Sequence, residues 1–210
     1  MKSMLVACLI MIALLTSCSK DNPVNPSKNK EIYPMKLGNK WTYNTFWYLS
    51  SKPDSTFNHD TLFVSIDSSR IIKDEIWFIS TSRYKGHPNQ WGMAIGTNRK
   101  DGFWYLWEYY SLQAFSLYFQ YPTIINHANS INNSEDTMFT KSINYDVIVP
   151  AGKFQCIDYK YISQTFTNQD YYFYPGVGLI KNIRLLEIKI QDKVPDTLWA
   201  VDELISYEIK

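Results

Sequence analysis

Three groups of residues in this chain have side chains able to do chemistry: imidazoles, paired carboxylates and thiols. The histidines are His59, His87 and His127, far apart in segments that read as loops. No HxxxH or HExxH spacing occurs, so no metal site is expected. The adjacent carboxylates are Asp74-Glu75, Glu135-Asp136 and Asp202-Glu203. On a strand, neighbouring side chains point to opposite faces and cannot serve one substrate as an acid/base pair. These acids therefore read as solvated surface groups. There is no GxSxG elbow, P-loop or GxGxxG turn. The chain is expected to have no catalytic set and no cofactor.

The strongest binding signal is the run FWYLWEYY at 103–110. On a strand, Phe103, Tyr105, Trp107 and Tyr109 share one face, and Trp104, Leu106, Glu108 and Tyr110 the other. Exposed aromatic rows stack on sugars or grip lipids and partner proteins. Trp104, Tyr105, Trp107 and Tyr109 are accordingly the candidate ligand-contacting residues. The competing reading is a strand buried on both sides within a curved sheet.

Of the three thiols, Cys8 lies in the N-terminal leader, Cys18 directly after it and Cys156 in the body. Lys2 precedes an unbroken apolar run at 4–15. A membrane-spanning helix needs roughly 20 apolar residues, so this run reads as the core of a secretory signal. It ends at Leu15-Thr16-Ser17-Cys18. Those four residues resemble the lipobox of bacterial lipoproteins, an aliphatic residue and two small residues before a cysteine. The resemblance implies a diacylglycerol on the Cys18 sulfur, cleavage between Ser17 and Cys18, and further acylation of the new amino group. Two or three acyl chains hold a protein on a membrane essentially permanently, at about 0.8 kcal/mol per buried methylene. In such proteins an aspartate directly after the cysteine can mark inner-membrane retention. Ser19 stands there, so the resemblance favours the outer membrane, with the periplasmic or surface face left open. Residues 19–30 are rich in Ser, Lys, Asn and Pro and read as a flexible tether.

Trp, Tyr and Phe number 7, 16 and 11 in 210 residues, a composition that favours strands and a large core. Removing residues 1–17 deletes only Lys2 among charged residues and leaves the charges balanced. A balanced domain without a basic stripe has no footprint for nucleic acid. Cleavage also removes Cys8 and lipidation occupies Cys18. Cys156 is then alone, and no disulfide within the chain can form.

From residue 31 the texture turns to period-2 alternation. Trp41, Tyr43 and Thr45 alternate with Thr42, Asn44 and Phe46. Strand-like runs follow at 61–67, 71–81, 102–109, 144–149, 154–164, 171–174, 179–190 and 197–209. Turn chemistry separates them: Gly38-Asn39, Lys52-Pro53-Asp54, Lys85-Gly86-His87-Pro88, Lys100-Asp101-Gly102, Pro150-Ala151-Gly152 and Pro175-Gly176-Val177-Gly178. Residues 112–121 fit either a short helix or another strand, and 124–136 reads as a loop. Cys156 shares a strand face with Phe154, Asp158 and Lys160. The opposite face, with Ile157, Tyr159 and Tyr161, is the better core face, so Cys156 is expected to be only partly buried.

The segments VPAGKFQC at 149–156 and YFYPGVGLIK at 172–181, with the opening YPMKLGNKWTY at 33–43, resemble motifs of small periplasmic proteins and lipoproteins. Some of these look like half-barrel lipid carriers, in which a strongly curved antiparallel sheet cups an apolar cavity. The resemblance implies the sheet; a shared fold says less about the role. The reading is a cleaved leader at 1–17, a lipidated cysteine and tether at 18–30, and one mainly β domain at 31–210. That domain is a strongly curved antiparallel sheet, a half-barrel or open barrel with at most one or two short helices; the alternative is a β-sandwich. Its expected role is a non-catalytic binding domain of the envelope, for an apolar ligand, a glycan or an envelope protein. The alternatives are a structural part of an envelope complex with no small ligand and, third, a glycan hydrolase.

Overall fold

A computed structural model describes residues 30–87, 91–109, 112–131, 135–163, 168–191 and 194–210. Twelve strands follow in chain order: β1 (Lys40–Leu49), β2 (Lys52–Ile72), β3 (Glu75–Tyr84), β4 (Trp91–Arg99), β5 (Gly102–Tyr109), β6 (Leu112–Gln120), β7 (Ala128–Ser130), β8 (Thr137–Val149), β9 (Gly152–Ile162), β10 (Asn168–Tyr174), β11 (Gly178–Gln191) and β12 (Val194–Glu208). They form a single antiparallel sheet in the order β6-β5-β4-β3-β2-β1-β12-β11-β10-β9-β8-β7. Around the ring each strand lies beside its sequence neighbour, and the β1–β12 ladder joins the two halves. The ring is nearly closed. At its seam, a side chain takes the place of a ladder: Asn129 Nδ2 on β7 donates to the Leu117 carbonyl of β6 at 2.9 Å. The expected open barrel is therefore the fold, and the sandwich is excluded. No helix occurs among the described residues, and 112–120 is strand β6.

Alternation builds the lumen. On β1, Trp41, Tyr43 and Thr45 point inward and are buried, while Thr42, Asn44 and Phe46 are only partly covered. The lower lumen is filled by rings from strands that are not neighbours. Tyr33 packs 4.9 Å from Trp41, 5.5 Å from Phe103 and 6.0 Å from Phe173. Phe119 packs 4.4 Å from Phe173 and 5.2 Å from Tyr159. The segment before β1 thus closes this end of the barrel. Its backbone is held by Asn98 Nδ2 donating to the Tyr33 carbonyl (2.7 Å), Asn39 Nδ2 to Pro34 (2.8 Å) and the Gly176 N–H to Glu31 (2.8 Å). Gly178, at φ +103°, allows the close approach of Tyr33: a Cβ there would sit 2.5 Å from its ring.

Four expectations are corrected. The run at 71–81 is divided between two strands, because Lys73-Asp74, both at positive φ, turn the chain from β2 into β3. Strand β2 begins at Lys52, so Lys52-Pro53-Asp54 is strand; the reversal is at residues 50–51. Pro53 is tolerated because the β3 ladder reaches β2 only from Leu62 onward, leaving the side of β2 around Pro53 without a ladder partner. The 124–136 loop contains the short strand β7. Cys156 is fully buried, at 0% exposure. The β8–β9 hairpin bends across the outer face to β12, where the Ala151 N–H donates to the Leu204 carbonyl at 3.0 Å, and Phe154 packs 5.6 Å from Tyr174. That second layer covers the thiol, and burial, with the nearby Asp158 and Asp146, pushes its pKa well up.

Candidate functional site

The barrel's two ends differ. Six residues along β1 from the sealed Trp41, roughly 20 Å at about 3.3 Å per residue, Trp47 lines an open cavity of about 480 Å³. Its other lining residues include Thr45, Asn58, Asp60, Tyr84 and Arg184, with His59 and His87. Its lining comes from β1, β2, the end of β3 and β11, and on this side β1 is tied to β12 by the Ser50 N–H to the Thr197 carbonyl (2.9 Å) and Trp199 Nε1 to Ser50 Oγ (2.9 Å).

The floor is a buried ionic cluster. In-register pairing places Thr45 opposite Asp202, and Thr45 Oγ1 donates to Asp202 Oδ1 at 2.7 Å. Asn182 on β11 also pairs with Asp202, and its Nδ2 lies 3.4 Å from Asp202 Oδ2. Arg184, two residues on and on the same face, forms an ion pair with Asp202. Its other nitrogen reaches across the lumen to the Tyr84 hydroxyl of β3 at 3.3 Å. Burial alone would lower the Arg184 pKa, but the charge of Asp202 with the hydrogen bonds of Asp202 and Tyr84 moves it up, so the guanidinium stays charged. Burial raises the Tyr84 pKa and the Arg184 charge opposes that rise. Asp202 is 2% exposed and is no surface acid, contrary to expectation.

Asp60 stands on the wall. Its Oδ1 accepts the N–H groups of Thr61 (2.6 Å) and Gly86 (2.9 Å). Burial pushes its pKa up, but those two hydrogen bonds and the charges of His87 and Lys85 outweigh burial and hold the carboxyl below its usual range. His59 lies on β2, not in a loop. A register shift between Thr45 and Trp47, with Asn58 at φ +54°, sets it on the rim. There it stacks on Phe46 at 6.0 Å and meets Thr56 Oγ1 at 3.1 Å through Nε2. His87 lines the same cavity, so two histidines expected to lie apart are brought to one site; His127 is not among its lining residues.

The aromatic run on β5 is divided between two faces. Tyr105 and Trp107 lie 4.5 Å apart, and each packs on Tyr118. Tyr118 in turn meets Tyr171, whose ladder partner is Asn182. Trp104 lies on the opposite face, under the Arg99 guanidinium (4.3 Å), with its Nε1 donating to Asp101 at 2.8 Å. Trp77, Ile95 and Leu106 make a small second core there. The Tyr109 side chain, Tyr110, and residues 1–29, with Ser17 and Cys18 among them, lie outside the described residues. Among the described residues, no group of three His, Cys, Asp or Glu side chains is placed to hold a metal ion.

The arrangement combines an aromatic wall, fixed donors and acceptors, and a cation already matched by a carboxylate. It is equipped to orient a small polar molecule. No protein family and no curated protein matches the chain by sequence. Among solved structures, it is similar to a protein of Bacteroides fragilis described as exported, with a YmcC-like fold. The two are 11% identical over 85% of this chain and 99% of that one, with a TM-score of 0.52. A protein of Parabacteroides distasonis described as a lipoprotein is 14% identical over the same shares, with a TM-score of 0.49. The likeness to the Bacteroides fragilis protein shows the fold: this chain is a nearly closed, twelve-stranded antiparallel barrel of that architecture.

Proposed function

We propose that this protein is an envelope lipoprotein whose barrel binds a small polar ligand, without catalysis, at its open end. The observation that carries the reading is the asymmetry of the lumen. The segment that follows the tether closes one end with aromatic rings, and the polar cavity opens at the other. The chain enters the barrel at the closed end, so the segment from Cys18 joins the domain at the end opposite the mouth. The lining is mixed, with Trp47 and Leu186 beside Asp60, Arg184, Asn58 and the two histidines, and these fixed polar groups favour a ligand with polar atoms to orient over the wholly apolar one that half-barrel carriers hold. The Bacteroides fragilis protein of similar fold is described as exported, in keeping with an envelope location.

Two experiments test this. Cys18→Ser should release the protein from membranes or leave an uncleaved precursor; unchanged fractionation and processing would contradict the anchor. A native mass spectrum of protein purified gently from its own membranes should show a bound mass beyond the acylated terminus, and a clean apo mass would speak against binding. In that case a structural role in an envelope complex gains ground. Ile148, Ile205 and Tyr207 are exposed on the outer wall where the β8–β9 hairpin meets β12, and they offer a protein contact.

A further inference from the structure

We propose that the mouth of the barrel recognises an uncharged sugar unit of a glycan and discriminates against anionic and cationic sugars. The proposal rests on the binding reading above and names the ligand class for that site.

Charge is the first argument. The guanidinium lining the cavity, that of Arg184, is already held by Asp202 and Tyr84, and His87 stands with Asp60. An anionic ligand would have to compete with a buried carboxylate for the guanidinium while facing Asp60. A cationic ligand would gain Asp60 but meet the charges of His87 and Lys85 that already act on it. An uncharged polyol meets neither penalty.

Hydrogen bonding is the second. Both N–H groups that fix Asp60 go to Oδ1. Oδ2 is left on the side of Gly86, where an added Cβ would come within 3.0 Å of it. A carboxylate fixed by one oxygen, with the other given no hydrogen bond by the described residues, is a good acceptor for sugar hydroxyls, because its orientation is already set. Deeper in the lumen, Asn182 is 6% exposed and its Oδ1 has no partner among the described residues. Asn182 lies outside the cavity lining, so the acceptor that faces a ligand is Asp60.

Shape is the third. Trp47 meets Phe57 edge-on, with centroids 6.3 Å apart and planes at 78°, which fixes the indole at the cavity wall. Indole surfaces stack on the C–H faces of sugar rings. A volume of about 480 Å³ lies within the usual span for small-ligand pockets, about 300–1,000 Å³.

The test uses the full mature lipoprotein in detergent micelles on an array of defined oligosaccharides: neutral hexose, N-acetylhexosamine, free-amine glucosamine and uronic acid. Binding is expected in one or both uncharged sets. Trp47→Ala and Asp60→Asn should each weaken it by about tenfold or more, and Trp107→Ala should leave it unchanged. Unfolding midpoints of each variant establish that the barrel is intact. Preferential binding of uronic acid or glucosamine overturns the ligand class and leaves the binding reading standing. A blank array with a bound mass in the native spectrum does the same. A blank array with a clean apo mass overturns both. Uncharged binding insensitive to both variants overturns the site.

Discussion

The two halves of one lumen are built from the same strands and do different things. In the closed half, β1 contributes Trp41 and Tyr43, both nearly inaccessible, with Trp41 Nε1 donating to the Val177 carbonyl (2.6 Å) and Tyr43 OH to Leu179 (3.0 Å). Tyr159 OH likewise donates to the Gln120 carbonyl at 2.6 Å. Trp41 and Tyr159 lie against other rings, and the polar atoms of these three residues are spent on backbone carbonyls. In the open half, the next inward residues of β1 are Thr45 and Trp47, beside Asp202, Arg184 and Asp60. An abundance of aromatic residues is therefore a poor marker of a site in this protein. What distinguishes Trp47 from Trp41 is the company of fixed charges and open space.

The largest effect that separates the halves should come from paired truncations. Trp41→Ala is expected to cost about 3–5 kcal/mol in urea unfolding, and Trp47→Ala less than about 1 kcal/mol, because one vacates a filled core and the other widens an open cavity. Equal losses would erase the distinction. Next in size, Arg184→Met should cost about 3 kcal/mol by leaving Asp202 buried without its cation. Adding Asp202→Asn should restore most of that loss. A single variant as stable as the parent would mean that the cluster is not an ionic floor.

The pH dependence sharpens the contrast between acids fixed in two different ways. Asp158, on the outer face of β9, has its pKa raised by burial, with Lys141 opposing the rise at 3.2 Å. The folded state then keeps a proton longer than the unfolded one. Stability is expected to fall as pH rises from the ordinary carboxyl value, about 4, through the raised one, and Asp158→Asn should flatten that slope. Asp60 has the opposite sign. Its pKa is lowered, so its contribution is present above about 4 and is lost as pH falls through the folded value. Because Asp60 is solvated, this effect should be the smallest of all and should shrink with added salt. Unfolding midpoints of both variants between pH 3 and 7 check the two signs.

Much of the sheet was legible in the sequence because alternation and turn chemistry are local. The inward row of β1, the core face of β9 at Ile157, Tyr159 and Tyr161, and the turns at Pro150-Ala151-Gly152 and Pro175-Gly176-Val177 all stand where the residues point. Local pattern failed at Lys52-Pro53-Asp54, where a proline with one unpaired strand side looks like a turn. It failed at Cys156 as well, where a bent hairpin supplies the cover. The site was not legible, because it depends on register. Asp202 looks like one of a surface pair until β11 and β12 align it with Asn182 beside Arg184. His59 and His87 look unrelated until β2 and the end of β3 are wrapped around one mouth. A usable hint was the inward row Ile180, Asn182 and Arg184, which turns polar as the strand nears the open end.

Hydrogen–deuterium exchange with and without the array's uncharged oligosaccharides, at millimolar concentration, tests the central claim most directly. The account predicts new protection at 58–61, 84–87 and 182–185, and none at 31–43, where the barrel is already sealed. Protection centred on 103–107 and 115–119, with the mouth unchanged, would contradict it.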